Sequence, residues 1–407
     1  MSTLTTPLAE QLKIILVGIR NAGKSSLMNN LFEKEIAIIS DTPGTTTDPV
    51  TRSIELGDLG PIAVTDTAGI DDEGELGNLR IQKSNERLSV ADIILFITPI
   101  DKAPIEVEKK LLEQIKVANK PFLFALTYGD KKANYAKQEW IKEFTHCFVD
   151  NKNNLGFTEL KKKLLSLKSK VAHEISPLEG LVRESDFVLL VTPIDLAAPK
   201  GRLILPQVET IRDALDKDCA TLVVKERELY EYYNKLGVKP KLVITDSQVF
   251  HKVAADIPHD QMLTSFSILF ARKKGELTEF LEGIKALKST PPNARILVME
   301  SCSHHRQADD IGTVKIPRLF KQLVRSDVTF EFSREFPDDK SLKEYFMIIH
   351  CAGCMTTKNA IVNRIKKAKK YGVYITNYGL FLSWVNGLLP RVLEPFNDIY
   401  AFYKDIF

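Results

Sequence analysis

The sequence predicts an α/β protein of three domains, a phosphate-loop domain followed by two further α/β domains with mainly parallel sheets. Three observations predict it. Short apolar, branched runs alternate with helical stretches along the whole chain, the pattern of parallel strands covered by helices. The first strand runs directly into a glycine loop and a helix. A break at Ser289-Thr290-Pro291-Pro292-Asn293 reads as a linker. Domains are expected over residues 1–171, 172–290 and 291–407, since 407 residues is long for one hydrophobic core.

Residues 13–17, Lys-Ile-Ile-Leu-Val, have the character of a buried parallel strand, and residues 26–32 carry apolar side chains at helical spacing. Between them Gly18 to Ser25 spells G-x-x-x-x-G-K-S, which in this context points to a nucleoside triphosphate. The binding candidates are Gly18, Asn21, Ala22, Gly23, Lys24, Ser25 and Ser26. Backbone N–H groups of the loop and of the helix start converge on phosphate oxygens, Lys24 adds a point charge, and the Ser25 hydroxyl can hold Mg²⁺.

The next strand ends in Asp66-Thr67-Ala68-Gly69. An Asp at the carboxyl end of a strand beside the phosphate loop can hold the Mg²⁺ hydration shell, and Gly69 lets a backbone N–H approach the terminal phosphate. The hydroxyl-rich run Pro43-Gly44-Thr45-Thr46-Thr47-Asp48 lies between the two motifs, which makes Thr46 the candidate for a second Mg²⁺ ligand. Lys24, Thr46, Asp66 and Gly69 are thus the candidate catalytic residues. Further on, the strand 122–126 leads into Thr127-Tyr128-Gly129-Asp130, and Asp150-Asn151-Lys152 precedes Gly156-Phe157.

Taken together, these motifs resemble the small GTPases of the translation and tRNA-modification group. The resemblance implies that Asp130 accepts hydrogen bonds from guanine, that Thr127 and Asn151 belong to the base-side loops, and that Tyr128 stands where the family's N/T-K-x-D motif has Lys. The Tyr128 ring would lie over the base as the Lys stem does. In several of those proteins an Asn at the position of Asn21 and the threonine loop hold K⁺, which replaces an arginine finger. Ile70 follows the D-T-A-G where a Ras-like protein has a water-orienting Gln, so hydrolysis is expected to be slow and stimulated by K⁺.

The second stretch begins near Asp186, with strands expected at 187–191, 221–224, 241–244 and 263–270. It shows no catalytic constellation. Lys200 and Arg202 near Asp195 read as a surface salt-bridge loop, and Tyr230, Tyr232 and Tyr233 as packing or interface residues on a helix.

The third stretch carries a second chemical signal. Cys302, with His304 and His305, follows the strand 295–299; His350, Cys351 and Cys354 follow the strand 345–349. The pattern is C-x-H, a long spacer, then H-C-x-x-C, at the carboxyl ends of strands where open α/β sheets bind ligands. A helix expected over 359–365 would favour thiolates at its N-terminus. Spacing leaves three readings open: buried structural cysteines, a zinc site, or an iron–sulfur cluster held by three thiolates with one position open. Cys147 and Cys219 have no such company and read as packing residues.

Composition narrows the class. A net charge of +3 and the lack of a basic stripe interleaved with aromatics argue against nucleic acid as a partner. No apolar run approaches a bilayer span, the N-terminus lacks the regions of a signal peptide, and five Cys do not suggest a disulfide scaffold. A cytoplasmic protein with reduced thiols and no membrane partner is expected.

A potassium-type GTPase unit joined to C-x-H…H-C-x-x-C resembles the FeFe-hydrogenase maturation GTPase family known as HydF, over the whole chain. Residues 198–207 and 375–379 look like that family's central and C-terminal signatures. The resemblance implies a GTPase that cycles between GTP and GDP with Mg²⁺ and K⁺, a central dimerisation domain giving a homodimer, and a cluster domain. It further implies a 4Fe–4S cluster on Cys302, Cys351 and Cys354, with His304 and His350 near the open position and His305 outside the matching positions. The cargo would be a diiron precursor delivered to apo FeFe-hydrogenase, with radical-SAM maturases as partners. The alternative is a GTPase with a structural zinc site, acting as a switch in RNA- or ribosome-related assembly.

Overall fold

The computed structural model describes residues 6–33, 50–66, 88–171, 175–193, 203–300 and 310–406. The chain divides into two compact units, residues 1–173 and 174–407. No described helix is long and apolar enough to cross a membrane.

In the first unit the order is β1 (Leu12–Val17), α1 (Lys24–Glu33), β2 (Val50–Glu55), β3 (Pro61–Asp66), β4 (Ile93–Pro99), α2 (Glu106–Ala118), β5 (Phe122–Thr127), α3 (Tyr135–Ile141), β6 (His146–Phe148) and α4 (Phe157–Lys168). The strands form one sheet in the order β2-β3-β1-β4-β5-β6. Every residue of β4 is buried, as a central strand covered on both faces requires; its one polar side chain, Thr98, is hydrogen-bonded to Glu108 and Lys137. β2 departs from the expectation of parallel strands throughout, because it pairs antiparallel with β3. The cause is local: only a short 3-10 turn at Gly57–Leu59 joins them, and a parallel return needs a crossover of a dozen residues or so.

Among its described residues the second unit holds two four-stranded, all-parallel sheets. β7 (Phe187–Val191), α5 (Leu205–Asp216), β8 (Ala220–Val224), α6 (Leu229–Lys235), β9 (Leu242–Thr245), α7 (Phe250–Asp256) and β10 (Leu263–Ser265) build the first, in the order β10-β9-β7-β8. The strand expected over 263–270 stops at Ser265. Its hydroxyl accepts from the Ile268 N–H at 3.3 Å and caps α8 (Phe266–Lys274), so the apolar residues that follow are buried as a helix. Helix α9 (Leu277–Ala286) leads to the second sheet.

That sheet comprises β11 (Arg295–Met299), β12 (Thr329–Ser333), β13 (Met347–His350) and β14 (Tyr374–Asn377), in the order β12-β11-β13-β14. Its helices are α10 (Ile316–Leu323), α11 (Lys358–Lys370), α12 (Tyr378–Val385), α13 (Leu389–Leu393) and α14 (Asn397–Tyr403). The buried residues of both sheets form one continuous hydrophobic cluster. The run 375–379 has a local physical account. Asn377 Oδ1 caps α12 by accepting from the Leu380 N–H at 2.8 Å, and its Nδ2 donates to Ser267 O at 3.2 Å. Gly379 is forced by close approach, since a Cβ there would lie 1.9 Å from Ser267 Oγ.

Candidate functional site

The phosphate loop turns from β1 into α1 through left-handed or glycine-only backbone at Gly18 (φ +151°), Asn21 (φ +61°) and Gly23 (φ +94°). A Cβ at Gly18 would meet Ile97 O at 2.1 Å, and one at Gly23 would meet Asn151 Nδ2 at 2.9 Å. The loop can therefore take this path only with glycine at both positions.

Three successive carbonyls of the loop are held from the base side. The Tyr128 hydroxyl donates to Asn21 O at 3.0 Å, the Thr127 hydroxyl to Ala22 O at 2.6 Å, and Asn151 Nδ2 to Gly23 O at 3.2 Å. Asn151 is itself held by Asn30 Nδ2, which donates to its carbonyl at 2.8 Å. Because a trans peptide is planar with C=O and N–H on opposite edges, fastening these carbonyls outward turns the Gly23 and Lys24 N–H groups the other way, toward the phosphate cradle. Sequence reasoning identified Thr127, Tyr128 and Asn151 as base-side residues but missed this clamp, and it missed Asn30 altogether. A contact between residues 105 to 128 positions apart leaves no local pattern.

Tyr128 itself adopts φ +58°, rare for an aromatic residue, and Lys131 lies over its ring, 4.4 Å from the centroid, while pairing with Asp101 at 2.9 Å. Asp130 is exposed beside it. The Asp150 carboxylate accepts from the Lys152 and Asn153 N–H groups at 2.9 and 3.0 Å and from Asn153 Nδ2 at 2.6 Å. Those bonds, the Asn153 N–H first, hold its carboxyl below the usual carboxylate range and fix the loop that presents Asn151.

At the other end of the cradle, Lys24 Nζ donates to Gly18 O at 2.9 Å and Ile19 O at 2.8 Å, so the ammonium lies within the loop. Ser25 Oγ donates to Asp66 Oδ2 at 2.8 Å, and Asp66 Oδ1 is buried with no hydrogen-bond partner among the described residues. Burial pushes the Asp66 carboxyl up, against the opposing effects of Ser25, Lys24 and Arg52. Two hard oxygen donors, one of them with an orphaned buried atom, fit a small divalent cation such as Mg²⁺. Thr46, Gly69 and Ile70 lie outside the described residues.

In the second unit, β11 and β13 run side by side, and the Cys351 N–H continues their ladder by donating to Met299 O at 2.9 Å. The strand order reverses direction between these two strands, the switch point at which open α/β sheets bind ligands. Cys351 and Cys354 are half-buried thiols in a loop turned by Gly353 (φ +66°), and Thr357 caps α11 directly after it. His350 is 1% exposed. Its Nδ1–H donates to Cys351 O at 2.6 Å, and Arg364 donates to its Nε2, so a metal at His350 would have to displace Arg364. Lys274, from α8, donates to Cys354 O at 2.9 Å and Thr356 O at 3.1 Å. Neither cation was singled out from sequence; Lys274 lies 80 residues from Cys354, a separation that leaves no local pattern. Cys302, His304 and His305 lie outside the described residues, and among the described residues no group of three or more His, Cys, Asp or Glu side chains is assembled as a metal site. Soft sulfur donors beside two cations fit an anionic iron–sulfur cluster. Cys147 and Cys219 are buried, and burial pushes the Cys147 thiol up to about 12, far from a reactive thiolate.

Residues 13–128 match the family described as 50S ribosome-binding GTPase, residues 178–275 the hydrogen maturase F dimerization domain, and residues 278–395 the hydrogen maturase F tetramerization domain. Among curated relatives, GTPase Der of Campylobacter fetus subsp. fetus is 36% identical over 170 residues, covering 40% of this chain and 36% of that protein. The tRNA modification GTPase MnmE of Clostridioides difficile is 30% identical over 157 residues, covering 38% and 32%. The chain thus spans only about a third of the length of these relatives. Among solved structures, the G domain of the T. maritima FeoB iron transporter is 22% identical, with a TM-score of 0.30 over 39% of this chain and 99% of that one.

Proposed function

Since the chain belongs to the hydrogen maturase F family and opens with a GTPase domain, we propose that it is a GTP-hydrolysing scaffold that binds a 4Fe–4S cluster and delivers a diiron precursor to apo FeFe-hydrogenase. The domains are read as 1–171 for GTP, 172–290 for dimerisation and 291–407 for the cluster, in a cytoplasmic homodimer that works with radical-SAM maturases.

The nucleotide half rests on the clamped loop. The loop N–H groups and Lys24 bind the phosphates, Ser25 and Asp66 would hold Mg²⁺ together with Thr46, and Asp130 reads guanine. Bound Mg²⁺ would supply charge neutralisation at the phosphate oxygens. Asn21, exposed at the left-handed turn of the loop, is the proposed K⁺ ligand. GTP turnover that is equal in sodium and potassium buffers would remove K⁺ from this reading.

The cluster half is carried by one observation: the strand ends that lead to Cys302 and Cys351 are hydrogen-bonded neighbours. Cys302 follows Met299 by three residues, a chain reach of at most about 11 Å. Three thiolates leave one iron with a replaceable ligand, which suits a carrier that holds and then releases cargo. Anaerobic reconstitution with iron and sulfide, followed by EPR of the reduced protein, tests it. A cubane signal lost on replacing Cys302, Cys351 or Cys354 with Ser supports the carrier. A colourless protein that retains zinc supports the structural-zinc alternative.

A further inference from the structure

We propose that Lys274 and Arg364 form a cationic cradle for the thiol loop: Lys274 fixes its backbone, Arg364 fixes His350 at its base, and together they favour the more negative, reduced form of a bound cluster. The inference rests on the cluster reading above and concerns residues outside the motif that suggested it.

Lys274 is 1% exposed, and an ammonium out of water is tolerated only when its donors are used. Two of those donors go to the carbonyls of Cys354 and Thr356, one on the second cysteine and the other just before the α11 cap. These bonds pin the loop from the side of α8. They also cross a boundary: Lys274 lies within the residues that match the dimerization domain, while the loop lies within those that match the tetramerization domain. The thiol loop is therefore fastened by the neighbouring domain.

Arg364 approaches from α11. It donates to His350 Nε2, which fixes the imidazole as the neutral tautomer with its proton on Nδ1, and that proton is donated to Cys351 O. Each cation thus reaches a carbonyl of one liganding cysteine, Lys274 directly and Arg364 through His350. A cluster held by three thiolates gains one negative charge when it takes up an electron. Fixed positive charge nearby stabilises that state and raises the potential.

The test uses the full chain as wild type, Lys274→Met, Lys274→Arg and Arg364→Gln, each reconstituted anaerobically and reduced by one electron in a dithionite titration followed by EPR. Iron and sulfide content, cluster lifetime against a chelator, midpoint potential and apo-protein melting are read in parallel. Expected are a cluster lifetime about tenfold shorter in Lys274→Met, the scale of a lost charged hydrogen bond, with partial recovery in Lys274→Arg. Arg364→Gln should keep its iron but show a more negative potential. A merely structural role would lower melting without moving the potential, and that result overturns the cradle. So do variants that match wild type in lifetime and potential. Wild type that takes up no cluster fails the carrier reading, and the cradle with it. If Lys274→Met does not fold, Lys274→Arg and Arg364→Gln still decide the matter.

Discussion

Removing a single oxygen atom, in Tyr128→Phe, probes how the base-side loops preorganise the phosphate cradle. The hydroxyl donates to Asn21 O at 3.0 Å from a ring that is 37% exposed. A neutral bond in such a position contributes at the lower end of the usual net range, about 0.7 kcal/mol, or roughly threefold in affinity. The lost bond acts on the loop that holds phosphates common to both nucleotides, so GTP and GDP should weaken by the same factor. Titration with fluorescent GDP and a non-hydrolysable GTP analogue measures this, with an adenine nucleotide as control. Tyr128→Ala, which also removes the ring and the Lys131 contact, should cost more. The reasoning is refuted if Tyr128→Phe leaves both affinities unchanged, or if it weakens one nucleotide alone. Tight adenine binding by wild type would instead refute Asp130 as a guanine reader.

The other predictions concern buried charge and close packing. Burial raises the Asp66 carboxyl, so its contribution to stability is full below the ordinary carboxylate value and is lost as pH rises through the folded value. Asp66→Asn apo-protein should therefore melt above wild type near neutral pH, with the gap closing in acid, while Mg²⁺-dependent nucleotide binding falls. Lys137, 0% exposed, bonds Glu108 at 2.9 Å and Thr98 at 2.6 Å, and Lys137→Met strands a buried carboxylate. A loss of about 3–5 kcal/mol in denaturant unfolding is expected. Gly379→Ala should cost about 1–3 kcal/mol, because its Cβ has no room beside Ser267; an unchanged midpoint would remove the account of that glycine.

The parts of this molecule that were legible in its sequence are those whose physics is local. Strand β1, the glycine loop and α1 are contiguous, so their order is written in consecutive residues, and Asp66 falls at the end of β3 because an apolar run ends there. The strand expected over 263–270 failed because periodicity cannot separate a short buried strand from the start of a buried helix, and Ser265 settles it as a cap. The antiparallel β2 was missed because alternation of strands and helices elsewhere argued for crossovers. Least visible were the long-range side-chain bonds: Tyr128, Thr127 and Asn151 on the phosphate loop, and Lys274 on the thiol loop. Their partners are backbone carbonyls, which carry no residue identity for a pattern to match.

The hydrophobic cluster that runs unbroken through both sheets of the second unit bears on how this region comes apart. Buried apolar surface held in common ties the fates of its contributors, so calorimetry should record one heat-absorption peak for the region rather than two. Shortened chains ending near residue 290 would bare the flank that α12 and β14 now cover, and such fragments should precipitate instead of surviving as free-standing pieces.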